Sequence, residues 1–571
     1  MRHALLPLAL LTLCACAPRA DDKPAANAAA QAPAADAAAA SSHAFNDAVD
    51  AGDFAEHVQQ LSSDAFGGRG PGTPGEEKSI EYIKAQFARI GLQPGNGGDW
   101  FQTVPMVETT ADESTTLNLN VAGTPEVLKF GTDMVVGTRT GRPEVSIKDS
   151  PLVFVGYGVD APEQQWNDYA GIDVKGKTVV MLVNDPGFHA GDAKLFDGKR
   201  MTYYGRWTYK FEEAARKGAA AALIIHDTEG ASYGWDVVKN SWSGPQYDLP
   251  AKDDPAPRVP AQGWITGEAA TVLFKAAGQD FGKLRAAANK RGFKPVPLDA
   301  TMSLDLKSTS VEKSSRNVIG LLPGSEAPDE AIIYMAHWDH LGTHEGETGG
   351  DNIYNGAVDN ATGVAAILEL AEAFRKAKTP PKRSILFLAV TLEESGLLGS
   401  KYYVAHPVIP LDKTVGVINL DALAPVGKAH DITVVGKGSS ELEDVLKTVL
   451  DTQQRVAKGE ENTAAGYYFR SDHFNFAKTG VPALYIDSGT DLLEGGQTAG
   501  DAAGKDYTDN RYHKPGDQYD AATWKLDGIV QDVETAYSVG ETLANDGQWP
   551  NWNAGNPFKA ARDKMRPAAA K

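Results

Sequence analysis

The chain has 571 residues, 42% of them hydrophobic and 23% charged, with a formal net charge of −20 at pH 7. That length provides for two or three domains with cores of their own. The acidic balance argues against nucleic acid and against an anionic membrane surface as partners, and no apolar run approaches the roughly 20 residues of a spanning helix.

The first residues read as a targeting segment. Arg2 and His3 form a short polar start, Ala4 to Leu13 an apolar stretch too short to span, and 13–16 (LCAC) its end. Cys16 followed by Ala17 resembles a bacterial lipoprotein signal, which implies a signal peptide at 1–16, a periplasmic protein and a lipid anchor at Cys16 to the outer membrane. Cys14 at the second lipobox position departs from that pattern, so simple secretory cleavage nearby stands beside it. Cys14 and Cys16 are the chain's two cysteines, so the mature protein is expected to hold no internal disulfide, no thiolate zinc ligand and no catalytic thiol. The Ala- and Pro-rich stretch 17–43 reads as a flexible linker.

Residues 44–143 carry two amphipathic helical runs, 45–63 and 76–92, joined by the glycine-proline loop 67–75 (GGRGPGTPG). No Gly-Lys-Ser/Thr follows that loop, so it reads as a turn capping two helices and not as a phosphate cradle. The run 436–440 (GKGSS) likewise lacks the upstream glycine of a phosphate loop. From 144 to 300 strand-like runs (151–158, 177–184, 220–227) alternate with turns and a helix at 210–218. The sequence KFEEAARKGAAAALIIHD resembles the protease-associated domain that many secreted peptidases carry as an insertion, and implies a β-rich lid or docking module. From 301 to 545 the apolar runs 317–324, 331–336, 383–390 and 415–420 alternate with helices at 362–377 and 440–457. Strands buried on both faces give such runs, so this part reads as an α/β domain with a mostly parallel central sheet, whose site forms at the carboxyl ends of strands. The tail 546–571 has aromatics without periodicity.

His337, Glu393, Glu394 and Asp421 fall at such ends, within 335–342 (MAHWDHLG), 392–400 (LEESGLLGS) and 417–422 (VINLDA). Asp359 lies in 356–363 (GAVDNATG), opening a helix, and His513 in 511–517 (RYHKPGD). Taken singly each has a plainer reading: Asp359 as a helix cap, the Glu393–Glu394 pair as solvated charge. Asp421 resists one, because an acid ending a buried strand must be paired or metal-bound. Asp339 and Asp517 are placed to orient the two histidines. Two histidines, three acidic ligands and a spare glutamate make the inventory of a two-metal hydrolase.

In this order the five segments resemble the zinc aminopeptidase family that includes secreted bacterial leucine aminopeptidases, in a superfamily with glutamate carboxypeptidase, glutaminyl cyclase and the transferrin receptor ectodomain. The resemblance implies a three-layer phosphorylase/hydrolase-like zinc-peptidase fold, two Zn²⁺ per chain and a peptide substrate. Asp359 is implied to bridge the metals, with Glu394 and His513 completing one site, His337 and Asp421 the other, and Glu393 as general base. A non-proline cis bond at Asp359–Asn360 is implied too. The segment 467–476 (YYFRSDHFNF) resembles the family's substrate loop, with Asp472 and His473 supporting the metals and Tyr467, Tyr468 and Arg470 lining the pocket. A carboxypeptidase or dipeptidase of the same fold, using Arg470 or Arg511 for a substrate carboxylate, remains open. The full ligand set argues against single-zinc glutaminyl cyclase chemistry and against a non-catalytic binding ectodomain. Oligomeric state and the preferred N-terminal residue are not legible.

Overall fold

A computed structural model describes residues 43–344 and 350–566. The expected signal peptide and nearly all of the expected linker lie outside these residues.

The runs read as doubly buried strands form the centre of a sheet. Arg383–Val390, Ala327–His337, Thr414–Leu420 and Ala483–Asp487 lie side by side and parallel, from Ile332↔Ile385 to Ile418↔Leu484. Alternation along them splits two cores. Ile332, Tyr334 and Ala336 join Phe387, Ile418 and Ile486 beneath helices Ala51–Leu61, Pro74–Ile90, Thr362–Lys376 and Asp527–Asn545. Ile333, Met335, Leu386 and Leu388 pack on the opposite face with Tyr403 and Phe476 of two shorter helices. The result is the expected three-layer α/β arrangement, with the mostly parallel sheet in the middle.

The first helix is capped by Asp50, whose side chain accepts from the amides of Gly52 and Asp53. The second is capped by Thr73, with Pro74 at its first position. The glycine-proline loop therefore does end in a helix cap, as expected, though it also does more, as described below.

The module lies between residues about 112 and 307. One strand, Val296–Leu322, is 27 residues long and serves both sheets. Its first half pairs with Glu144–Phe154 and Thr116–Val121, its second with Phe101–Ala111 and Arg383–Val390. Thr116–Val121, Thr124–Lys129 and Met134–Gly137 hydrogen-bond into the module's sheet, so the expected boundary at 144 falls too late. The alternation in Thr116–Val121 was the signal. Within the module Glu144–Phe154, Thr178–Leu182, Ala221–Ile225 and Ala261–Ile265 form a parallel run, and helix Trp207–Arg216 packs against it.

The described part of the expected tail packs against the α/β domain. Trp552 is buried and its indole N–H donates to the Gly480 carbonyl at 2.9 Å. Arg562, also buried, donates to the carbonyls of Thr414 and Val415, 3.1 and 3.0 Å away, at the start of a central strand. A Trp552→Ala substitution is expected to destabilise the protein by about 3–5 kcal/mol, from lost burial and the cavity left behind. Chemical denaturation measures this; a loss under about 1 kcal/mol would show the tail to be a loose appendage.

Candidate metal centre

Strand ends and two turns bring the six candidate residues together. His337 ends the strand Ala327–His337 and Asp421 follows Thr414–Leu420 directly. Glu393 and Glu394 lie in a tight turn after Arg383–Val390, where the amides of Gly396 and Leu397 both bond the Glu393 carbonyl at 2.9 Å. Asp359 sits in the turn before helix Thr362–Lys376, and the Asp359–Asn360 peptide is cis, as the resemblance implies. Asn360 ties that turn to the neighbouring strand. Its Nδ2 donates to the Leu420 carbonyl and its Oδ1 accepts from the amides of Ala422 and Gly363.

The two carboxylate oxygens of Asp359 face opposite ways. Oδ1 lies 3.2 Å from His337 Nε2, which is also 3.1 Å from Asp421 Oδ1. Oδ2 lies 3.2 Å from His513 Nε2, which is also 3.1 Å from Glu394 Oε2. Two three-residue sets therefore share one aspartate. The carboxylate of Glu393 joins the first set, with ligand atoms of His337, Glu393 and Asp421 all within 4.8 Å of one another.

Charge explains why a cation suits this place. Asp339, Asp359, Asp421, Asp472 and Asp517 are buried around the Glu393–Glu394 turn. Burial pushes the Glu393 carboxyl well above the ordinary range and Asp339 up to about 8. Burial opposes ionisation of Asp359 too, but hydrogen bonds from His337 and His513 outweigh it and hold it well below. Burial also opposes protonation of His513, yet Glu394 and Asp359 lift it to about 10: the acids draw positive charge to that nitrogen. Nitrogen and oxygen donors without sulfur, converging in a buried acidic cluster, fit divalent zinc.

The supporting residues differ in part from expectation. Asp339 touches His337 through its backbone: His337 Nδ1 donates to the Asp339 carbonyl at 3.1 Å, while the carboxylate stands off at 3.8 Å. That bond fixes the tautomer that leaves Nε2 free to bind a metal. The Asp339 carboxylate instead accepts the amide of Glu393 at 3.2 Å. Asp517 does not orient His513. It accepts the amides of Val358 and Asp359, each at 3.0 Å, because the loop after His513 folds back under the Asp359 turn. Asp472 takes the hydroxyl of Ser400 at 2.5 Å and contacts no ligand side chain by hydrogen bond. His473 packs between the rings of Tyr468 and Tyr485, at 4.8 and 5.0 Å, and burial pulls its pKa down to about 3. Tyr468 turns into an apolar cluster with Val435, Phe474 and Trp552, so it is not a pocket wall. Tyr467 is exposed, and Arg470 lies against its ring and that of Tyr233 from the module, at 5.4 and 5.7 Å. Arg511 is paired with Asp506 at 2.8 Å.

Three contributors were missed. His340 Nδ1 donates to Glu394 Oε1 at 2.7 Å, leaving Oε2 toward His513; the signal was a second histidine in MAHWDHLG. Ser471 donates to Asp421 Oδ2 at 2.5 Å and accepts from Asn419 Nδ2 at 2.7 Å. Arg69 lies beneath the cluster, fully buried. Asp517→Ala is expected to leave two buried amides without acceptors, costing about 1–3 kcal/mol in denaturant unfolding, and to weaken metal binding about 10–100-fold in chelator competition. Unchanged metal affinity would show that the Asp359 turn holds itself.

A shared aspartate, two histidines and two further acids beside another glutamate, near the carboxyl ends of a parallel sheet, make a donor set that suits divalent metal ions. Residues 317–538 match the profile of Peptidase family M28. The aminopeptidase from Aneurinibacillus sp. strain AM-1 shares the fold at 22% identity and a TM-score of 0.51, covering 88% of this chain and 95% of that one. Aminopeptidase NAALADL1 of Mus musculus is 28% identical over 163 residues, 27% of this chain and 20% of its own length. The Glutamate carboxypeptidase 2 homolog of Caenorhabditis elegans is 30% identical over 193 residues, 33% of this chain and 23% of its own. The chain thus spans a quarter or less of the length of these two curated relatives.

Proposed function

We propose that this protein is a zinc-dependent aminopeptidase that binds two Zn²⁺ per chain and hydrolyses N-terminal residues from peptides. The observation that carries the reading is the two-way Asp359 carboxylate, each oxygen shared between a different histidine and a different acid. His337, Asp421 and Asp359 would hold one ion, and His513, Glu394 and Asp359 the other. Bound there, the ions acidify the attacking water and polarise the scissile carbonyl. Glu393 takes a proton from that water and delivers it to the leaving amine nitrogen. The closeness of the Glu393 carboxylate to His337 and Asp421 supports that role. His340 and Ser471 keep Glu394 and Asp421 turned toward their histidines.

The module's role is proposed as a protease-associated-type lid over the substrate loop. The Met201 amide donates to the Thr463 carbonyl and Tyr203 packs 5.4 Å from Phe474, contacts that support this placement. The N-terminal segment supports secretion to the periplasm, with a lipid anchor at Cys16 or simple cleavage near it.

A carboxypeptidase reading keeps one specific support. The Arg470 Nε is buried without a hydrogen-bond partner, and the guanidinium of Arg206, a half-buried residue of the module, lies close enough to interact with it, so a substrate carboxylate has two guanidinium groups to meet. One relative's name, glutamate carboxypeptidase, agrees with that direction. Hydrolysis of aminoacyl-p-nitroanilides, their N-blocked copies and N-blocked peptides with free or amidated C-termini separates the two. Cleavage of free-amine substrates alone is the expected result. Cleavage of N-blocked peptides that is lost on C-terminal amidation would replace it with the carboxypeptidase reading.

A further inference from the structure

The glycine loop 67–75 reads in the sequence as a helix-capping turn, yet it also delivers a buried guanidinium, that of Arg69, beneath the candidate metal centre. Gly67 and Gly68 adopt positive φ, and a Cβ on Gly68 would fall 2.3 Å from the Gly342 carbonyl oxygen and 2.6 Å from that of Tyr354. Only glycine lets the loop approach the two segments that flank the ligand turns so closely. Arg69 itself has φ 51 and is fully buried. Its Nε donates to the Trp338 carbonyl at 2.8 Å, next to His337. Nη1 donates to the carbonyls of Asn355 and Leu61 at 2.5 and 3.1 Å. Nη2 donates to Gly356 at 2.8 Å and more distantly to Asp359 at 3.4 Å. The Arg69 carbonyl in turn accepts the His340 amide at 3.3 Å.

An arginine has five donors in a fixed planar fork, and here all five meet backbone carbonyls from three chain segments. The positive charge is therefore not neutralised by a bonded carboxylate and acts on the acids above it. Asp359, Asp517, Asp339 and Glu394 all stabilise that charge, against the burial that lowers its pKa to about 10.

We infer that Arg69 is a positioning residue of the metal centre: it locks the turn after His337 and the turn carrying Asp359 in one frame and supplies their counter-charge before any ion binds. The inference rests on the two-zinc reading above. A lysine there offers three donors on a flexible stem and a methionine none, so the frame loosens in that order.

The test compares the full-length protein with Arg69→Lys and Arg69→Met by zinc competition against a chromophoric chelator, alongside thermal unfolding of the metal-free forms. Val533→Ala, in the core helix Asp527–Asn545 and away from the site, serves as a stability control. Expected are zinc affinities weakened at least about tenfold in Arg69→Lys and further in Arg69→Met, with Val533→Ala binding zinc like the parent despite its lower melting temperature. Parental zinc affinity in both Arg69 variants would overturn the inference. An equal loss in Val533→Ala would also overturn it, and so would failure of both Arg69 variants to fold, which makes the residue a requirement of the fold alone. A parent protein that binds no zinc would sink the two-zinc reading itself, and this inference with it.

Discussion

Glu393→Gln lowers peptide hydrolysis by about 10²–10⁴-fold and leaves bound zinc unchanged, the range that loss of a positioned general base produces. The glutamine keeps the size of the side chain and the backbone of the turn, including the amide that Asp339 holds. Neither assigned set needs Glu393, because His337, Asp421 and Asp359 already surround one position and His513, Glu394 and Asp359 the other. The loss should therefore fall on kcat with KM nearly constant. Steady-state kinetics beside metal analysis of the same samples measures it. A variant that hydrolyses like the parent would take the general-base role from Glu393; one that loses an equivalent of zinc would make Glu393 a ligand, and its closeness to His337 and Asp421 gives that outcome a structural basis.

Asp359→Ala abolishes hydrolysis and empties both positions, whereas His513→Ala empties one. The asymmetry follows from the way the two sets share Asp359, and not from the number of ligands removed. Removing a bridge exposes each histidine to a single remaining acid. Metal content after equilibration with zinc and gel filtration separates the two variants. Retention of one full equivalent by Asp359→Ala would show that the positions are independent. His340 bears on the His513 variant, since its Nδ1 already lies 2.7 Å from Glu394 Oε1; a His340→Ala, His513→Ala double variant shows whether it substitutes.

The layers and the ligand-bearing strand ends were readable because doubly buried parallel strands leave long apolar runs, and an acid or histidine directly after such a run stands out. His337 and Asp421 follow that rule. Glu393 and Glu394 lie a few residues past the run 383–390, whereas Asp359 and His513 lie in turns that only the whole set of motifs marked. What escaped was long-range hydrogen bonding. Asp517 looked like a partner of His513 because it is four residues away in sequence, yet it bonds amides more than 150 residues distant. Arg69 and Ser471 sit in loops whose composition says nothing of where a side chain points. Tyr468 read as a pocket residue and His473 as a support of the metals from their motif, and the structure buries both side chains. The module boundary was misplaced for a different reason. The long strand Val296–Leu322 belongs to two sheets at once, and a texture change along the chain cannot show a strand that crosses between them.

The most direct measurement is a zinc titration of the chelator-stripped protein, following bound metal and hydrolysis of a free-amine aminoacyl-p-nitroanilide together. Binding that saturates at two zinc ions per chain, with hydrolysis absent from the stripped protein and restored as the sites fill, is the expected result. Hydrolysis that survives stripping, or a folded protein that takes up no zinc, would contradict the metal centre built around Asp359.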